Sequence, residues 1–395
     1  MRSLLTLIAM VSCLFASCIA QDWGKAAWAD EFNQAAASRL DPTKWNLEIG
    51  NLKFNNELQI YCPAFPADRT QMKPRFEAGW KDISFCDPKD GNVSFDGEHL
   101  VLRATKRNVQ WFSGRINTEG HYAFQYGRIE ARIKLPFGPG TWPAFWALGA
   151  DIQKVGWPRG GEIDVMENVP EHGGLGPHRV RSTLHGPGYS GDFGVRNDLQ
   201  FLHGGRVDDG FHLYGAIWSP YMIQFYVDDP TNVFFIATPH ELPAGTEWAY
   251  NRSFFLILNL AIGGEHSWPG PADDTTPNPA TMLVDYVRVY KAAKIDGPNI
   301  EAPAVTMHTG SSKQVKVKLT SKSGTGRVYL DCNTTAPGVH CSLNPYVVDF
   351  SNSSEVKSTL EISAQKSPID KAELKVTAYT ESGDDSSQTV SVSFK

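Results

Sequence analysis

The stretch Gly160-Gly161-Glu162-Ile163-Asp164-Val165-Met166-Glu167-Asn168 constrains this chain more than any other. Three carboxylates stand in a segment otherwise built from Ile, Val and Met, residue types that favour a pleated, half-buried surface. It reads as a strand that carries acids. In a regular strand residues 162, 164 and 166 share one face, so Glu162 and Asp164 point together and Glu167 points away. One extra residue, a β-bulge at Val165-Met166, returns Glu167 to their face. The bulge turns Val165 and Met166 into the sheet packing and lines up three acids. A solvated acidic strand face is the plainer alternative. Against it, clustered like charges cost stability unless something uses them, and carboxylates of unequal pKa are what acid/base chemistry requires.

The chain has 395 residues, a formal charge of −6 and only 20% charged residues, which gives one large or two ordinary domains with ample core. A mild acidic balance argues against nucleic acid or anionic membrane as partner. From Trp28 to about Lys291, short alternating segments such as Leu100 to Ala104, Gly127 to Ile133, Gln224 to Val227 and Leu283 to Tyr290 are separated by Gly, Pro, Asn and Asp. This is the pattern of a sandwich or barrel. No amphipathic run of helical length stands out. The fold class expected is all-β, with two antiparallel sheets packed face to face and one curved into a cleft.

Residues 1–20 read as a signal peptide: Arg2, an apolar run from Leu4 to Leu14, then small residues up to Ala20. The run is too short to span a bilayer, so a secreted monomer is expected. Lipid attachment at Cys18 is the rival outcome, because Phe15-Ala16-Ser17-Cys18 loosely resembles a bacterial lipoprotein box. Four cysteines follow the leader in an oxidising context, and local pairing is expected, Cys62 with Cys86 and Cys332 with Cys341. Sequons stand at Asn92, Asn251, Asn333 and Asn352.

Several segments together resemble one family. Glu-Ile-Asp-Val-Met-Glu at 162–167, preceded by Trp157-Pro158-Arg159-Gly160-Gly161, is similar to the signature of glycoside hydrolase family 16 in its bulged, laminarinase-like (endo-β-1,3-glucanase) form. Asp30-Glu31-Phe32, Asn55-Asn56-Glu57-Leu58-Gln59, Ser113-Gly114-Arg115-Ile116, Gly140-Thr141-Trp142-Pro143-Ala144-Phe145-Trp146, Thr183-Leu184-His185-Gly186 and Val284-Asp285-Tyr286-Val287 follow the same pattern in the same order. The resemblance covers about two thirds of the chain. It implies a concanavalin-like jelly roll over 21–293. One departure is the link between Gln59 and Asn92, through Cys62 and Cys86, which is longer than usual for the family; as a rim of the cleft it would alter substrate preference.

The chemistry follows from the acids. Attack on an anomeric carbon passes through an oxocarbenium-like state, which needs one ionised carboxylate nearby and one protonated carboxyl beside the leaving oxygen, about 5–5.5 Å apart for retention. By position, Glu162 resembles the nucleophile and Glu167 the acid/base. Asp164 between them is the tuner, its negative charge raising the pKa of Glu167 and its hydrogen bond orienting Glu162. Trp142, Trp146, Trp157 and Trp268 are candidate sugar platforms, with core burial as the plainer role. Asn56, Arg115 and His185 are the polar candidates for substrate. Catalysis needs no cofactor. The resemblance also implies a structural calcium ion on the convex face, held by Glu31, the Gly97 carbonyl and Asp285, in keeping with all-oxygen ligation.

After Ala292 the composition shifts. Residues 294–303 read as a linker, and 304–395 are rich in Ser, Thr, Lys and Val, with clean alternation at Val315 to Leu319, Leu374 to Tyr379 and Val390 to Phe394. This reads as a small immunoglobulin-like sandwich, a spacer or stabilising module rather than a carbohydrate binder. The function expected is a secreted glycosidase cleaving β-1,3-glucan. The alternatives are a mixed-linkage glucanase, a galactan hydrolase of agarase or carrageenase type, a transglycosylase, and a non-catalytic glucan-recognition protein.

Overall fold

The computed structural model describes residues 23–395 apart from 37, 53, 64–71, 75–82, 202–203, 293, 295, 323–325 and 367–368. The leader, Cys18 and the central part of the long link after Gln59 lie outside the described residues. Among those described, no helix is long and apolar enough to cross a membrane.

Alternation of side chains across the pleat builds two stacked sheets. The inner one contains β1 (Thr141–Gly149), β2 (Glu162–Glu167), β3 (Arg179–His185), β4 (Val195–Gln200) and β5 (Phe254–Ile262) in the spatial order β4-β3-β2-β1-β5, continued by Arg115–Asn117, Asn46–Ile49 and Met72–Pro74. Among the described residues the outer sheet has ten strands, with Gly127–Lys134 between His212–Ser219 and Ala280–Tyr290. The even residues of β5, Phe254, Leu256, Leu258, Leu260 and Ile262, enter the core between the sheets. Its odd residues Phe255 and Ile257 close a second cluster with Leu148 and Ile152 on the other face. A strand covered on both sides reads as a continuous apolar run, which Phe254-Phe255-Leu256-Ile257-Leu258 is.

The bulge lies where the sequence places it. Against β1, Met166 pairs with Phe145 and Asp164 with Trp146, so Val165 has no partner. Against β3 the register also jumps between Asp164 and Glu167. Ile163, Val165 and Met166 are buried in the main core, which leaves Glu162, Asp164 and Glu167 for the opposite face.

Residues 299–394 form a separate sandwich of a four-stranded and a five-stranded sheet. Its own core includes Val317, Leu319, Leu330, Leu360, Leu374 and Val376. Both expected disulfides are present, Cys62–Cys86 and Cys332–Cys341, with Cα separations of 5.7 and 5.9 Å. Asn92 is only 2% exposed and its amide bonds to the Arg103 carbonyl, which removes it as a glycosylation acceptor, whereas Asn251, Asn333 and Asn352 are exposed.

Met166, fully buried at the bulge, tests this packing. Met166→Ala should destabilise the protein by about 2–5 kcal/mol, read as a lower urea midpoint at unchanged slope. A change under about 0.5 kcal/mol would mean that the bulge residue is not packed as described.

Candidate active site

The acids of β2 open into a cleft of about 860 Å³ lined, among others, by Arg115, Trp142, Trp146, Trp157, His185 and Trp268. Pairing across the sheet sets their neighbours: Glu162 faces His185, Asp164 faces Thr183 and Glu167 faces Arg181 on β3. His185 presents Nε2 to two of the acids, 3.2 Å from Asp164 Oδ2 and 3.9 Å from Glu162 Oε1. Glu162, Asp164 and His185 bring ligand-type atoms within 4.8 Å of one another.

Glu162 and Glu167 each accept an indole N–H. Trp142 Nε1 donates to Glu167 Oε1 at 2.9 Å, and Trp157 Nε1 to Glu162 Oε2 at 2.8 Å. Sequence reasoning offered these tryptophans as sugar platforms or core residues; the polar edge of the ring, invisible in a residue name, gives them another task. Trp142 also meets Trp268 edge-on at 5.5 Å. Trp146 donates to Asn259 Oδ1 at 2.7 Å and lies under the Arg115 guanidinium, 4.8 Å from its ring centre. Arg115 is itself ion-paired to Glu48, with one guanidinium nitrogen buried and unpartnered.

Burial sets the electrostatics. It pushes Glu162 up to about 8, helped by the facing charges of Asp164 and Glu167 and opposed by His185 and the Trp157 hydrogen bond. Asp164 is raised well above its ordinary range, by burial first and by Glu167 second, while its hydrogen bond with Glu162 works the other way. Glu167 is raised by burial, against the pull of Trp142, His185 and Arg181. Asp164 thus shares a hydrogen bond with Glu162 and feels the charge of Glu167, which ties it to both reacting glutamates.

The profile of glycosyl hydrolases family 16 matches residues 82–286. Over 278 residues the chain is 34% identical to a beta-glucanase of Rhodothermus marinus, covering 67% of this chain and 84% of that protein. The chain belongs to this family. It is also 33% identical over 273 residues to glucan endo-1,3-beta-glucosidase A1 of Niallia circulans, though the match spans 67% of this chain and only 37% of that longer protein. Among solved structures, the catalytic domain of an endo-1,3-beta-glucanase (laminarinase) from Thermotoga petrophila aligns with a TM-score of 0.57 and 35% identity, over 70% of this chain and 100% of that one. The family and the enzyme class expected from the sequence, a glycosidase of laminarinase type, agree with these findings.

Two expectations for the family-16 domain are corrected by the geometry. Asn56 does not line the cleft: its amide donates to the His266 carbonyl at 3.1 Å, tying together two rim loops, while Phe54, Asn55 and Glu57 face the cavity. The calcium set is already paired. Arg288 grips both oxygens of Glu31 at 2.9 and 2.7 Å, and Arg132 bonds Asp285 at 2.6 Å. A calcium ion, which takes six to eight oxygens, would have to displace both guanidiniums, so the set as it stands does not fit the ion. Sequence reasoning missed Glu57, Asn259, Arg181 and Thr183 as cleft residues. Glu57 and Thr183 carried a signal, inside the Asn55-to-Gln59 and Thr183-to-Gly186 motifs; Asn259 and Arg181 carried none.

The raised acids make a stability prediction. Between pH 4.5 and about 8 the folded chain keeps the Glu162 proton that the unfolded chain releases, so stability falls as pH rises through that window. Glu162→Gln should therefore be more stable than the parent near pH 8 by about 1–4 kcal/mol, with the gain fading toward pH 4.5. Urea unfolding at both pH values checks it; an equal difference at both would refute the buried-acid account.

Proposed function

We propose that this protein is an exported endo-β-1,3-glucanase that hydrolyses laminarin-type glucan with retention at the anomeric carbon. The observation that carries the reading is the alignment of Glu162 and Glu167 on one face, each held by an indole N–H, in a cleft floored with aromatic rings. In the first step Glu162 attacks the anomeric carbon and Glu167 gives its proton to the glycosidic oxygen as that bond breaks. In the second, Glu167 takes a proton from water, and the oxygen of that water displaces Glu162. Glu162 attacks as the carboxylate, which in the free cleft predominates only above about pH 8; Asp164 orients it through their hydrogen bond, and burial favours the protonated Glu167 that the leaving oxygen needs.

Exposure of Trp157 (50%) and the placement of Trp142, Trp146 and Trp268 along the cleft support stacking on the C–H face of a sugar. The substrate is drawn from the β-glucan names of the relatives; export is drawn from the leader. Mixed-linkage glucan and galactans keep the same mechanism with another polymer. A recognition protein without turnover is disfavoured by the retention of all three acids in hydrogen-bonded positions.

The test is reducing-sugar release by the leaderless protein on laminarin, mixed-linkage glucan, agarose and carrageenan. Laminarin should yield short oligosaccharides, with the β-anomer appearing first by NMR. Glu162→Gln and Glu167→Gln should each lower turnover at least about 10²–10⁴-fold while remaining folded. Cleavage of another polymer alone would overturn the substrate. Near-normal activity of either variant would overturn the mechanism.

A further inference from the structure

A buried polar network that the chemistry does not use joins the two domains. Glu381, 5% exposed, accepts from Gln224 Nε2 at 2.7 Å, and Arg327 Nη1 donates to Gln224 Oε1 at 2.9 Å. Gln224 belongs to the outer-sheet strand Met222–Val227 and is fully buried. Beside it Tyr379 meets Tyr221 at 5.1 Å, and Tyr346 stacks on His240 at 4.0 Å and 12°. The Tyr346 hydroxyl donates to Glu241 Oε1 at 2.6 Å, while the other Glu241 oxygen accepts from both the amide and the hydroxyl of Thr238. The second domain therefore grips residues 238–241 directly.

Those residues lead to the back of the active site. A turn closed by Thr246 N donating to the Pro243 carbonyl carries the chain to 246–250. There the Thr246 side chain abuts Gly188, where an added Cβ would stand 2.7 Å from it. The Glu247 carbonyl accepts from the Tyr189 hydroxyl at 3.0 Å. Ala249 stands against Gly161, 3.3 Å from an added Cβ. Gly161 immediately precedes Glu162, and the Gly186–Tyr189 turn immediately follows His185. Glu162 and His185 face each other in register, so the segment 246–250 backs the points at which both leave the sheet.

We propose that the C-terminal domain is a positioning brace for the active site: by fixing 238–241 it holds 246–250 against Gly161 and Tyr189, and thereby holds Glu162 against His185. Residues 304–395 contain no tryptophan and three tyrosines, Tyr329, Tyr346 and Tyr379. All three lie against Tyr221 or His240 of the catalytic domain. The aromatic surface that a glucan-binding module would present is taken up by the first domain. The activity readout of the proposal rests on the glycosidase reading; its exchange readout does not.

The experiment compares the full chain with Tyr346→Phe, which removes one hydroxyl, and with Tyr346→Phe combined with Glu381→Ala. Hydrogen–deuterium exchange should rise at least tenfold across 238–250 in the double variant, and less in the single one, while Lys371–Thr380 stays protected. Turnover on whichever polymer the parent cleaves should fall about three- to tenfold with KM little changed. Unchanged exchange over 246–250 would overturn the brace, and so would faster exchange there at undiminished turnover. If the parent cleaves none of the polymers, the exchange result alone decides, separating failure of the brace from failure of the glucanase reading.

Discussion

Everything in the cleft depends on holding three carboxylates together out of water. Each is pushed above its ordinary pKa by loss of water, and Trp142, His185 and Arg181 oppose this at Glu167. Desolvation penalises the charged form of an acid, so the cluster keeps protons that isolated acids would lose. In a double displacement a proton must remain on one glutamate while its partner ionises, and the two are held apart by different partners, Glu167 by the Trp142 indole and Glu162 by the Trp157 indole beside His185. The surrounding fold supplies the stability this arrangement consumes, through a core closed on both faces of β5.

The sequence was most legible where backbone periodicity decides the outcome. The acids of β2 break strict alternation by one residue, and only a bulge reconciles that with a buried Val165 and Met166; the register shows it there. The all-β architecture followed from alternation and turn residues, and the disulfides from local spacing. What was not legible depends on which atom of a side chain faces which neighbour. Trp142 and Trp157 are named identically whether the ring face or the N–H does the work. Asn56 and Asn55 differ by one position in a loop where both have positive φ, at 55° and 50°, and no periodicity fixes which one turns to the cavity. Arg288 and Arg132 could not be assigned to Glu31 and Asp285 without the pairing of Glu31's neighbours with the strand Ala280–Tyr290.

The cleft floor is a second core layer as much as a binding surface. Trp146 is fixed from below by the cluster of Leu148, Ile152, Phe255 and Ile257. At its polar edge it is fixed by Asn259, whose amide also donates to the Tyr61 hydroxyl at 3.3 Å. Tyr61 in turn donates to Glu57, which Gln59 also holds at 2.6 Å. A ring tied at its edge and packed on its face has little freedom to lose when a ligand covers it, so less of the binding energy is consumed in ordering the site.

The same reasoning explains the strand that lies between the acids and the unbroken apolar run of β5. β1 stands between β2 and β5 and carries both Trp142 and Trp146. Pro143 and Phe145 alternate with the half-buried Trp142 and Trp146 and are buried, so any slip in the register of β1 would move both rings at once. The slip is prevented on one side by the bulge, which admits only one pairing of Phe145 with Met166, and on the other by nine consecutive pairs with β5. Register is strongly specified where one face is buried, and here both flanking strands specify it. Positioning of the indole N–H on Glu167 is thus inherited from main-chain pairing two strands wide, which is why a device made of long, mobile glutamate side chains can be held to a single geometry.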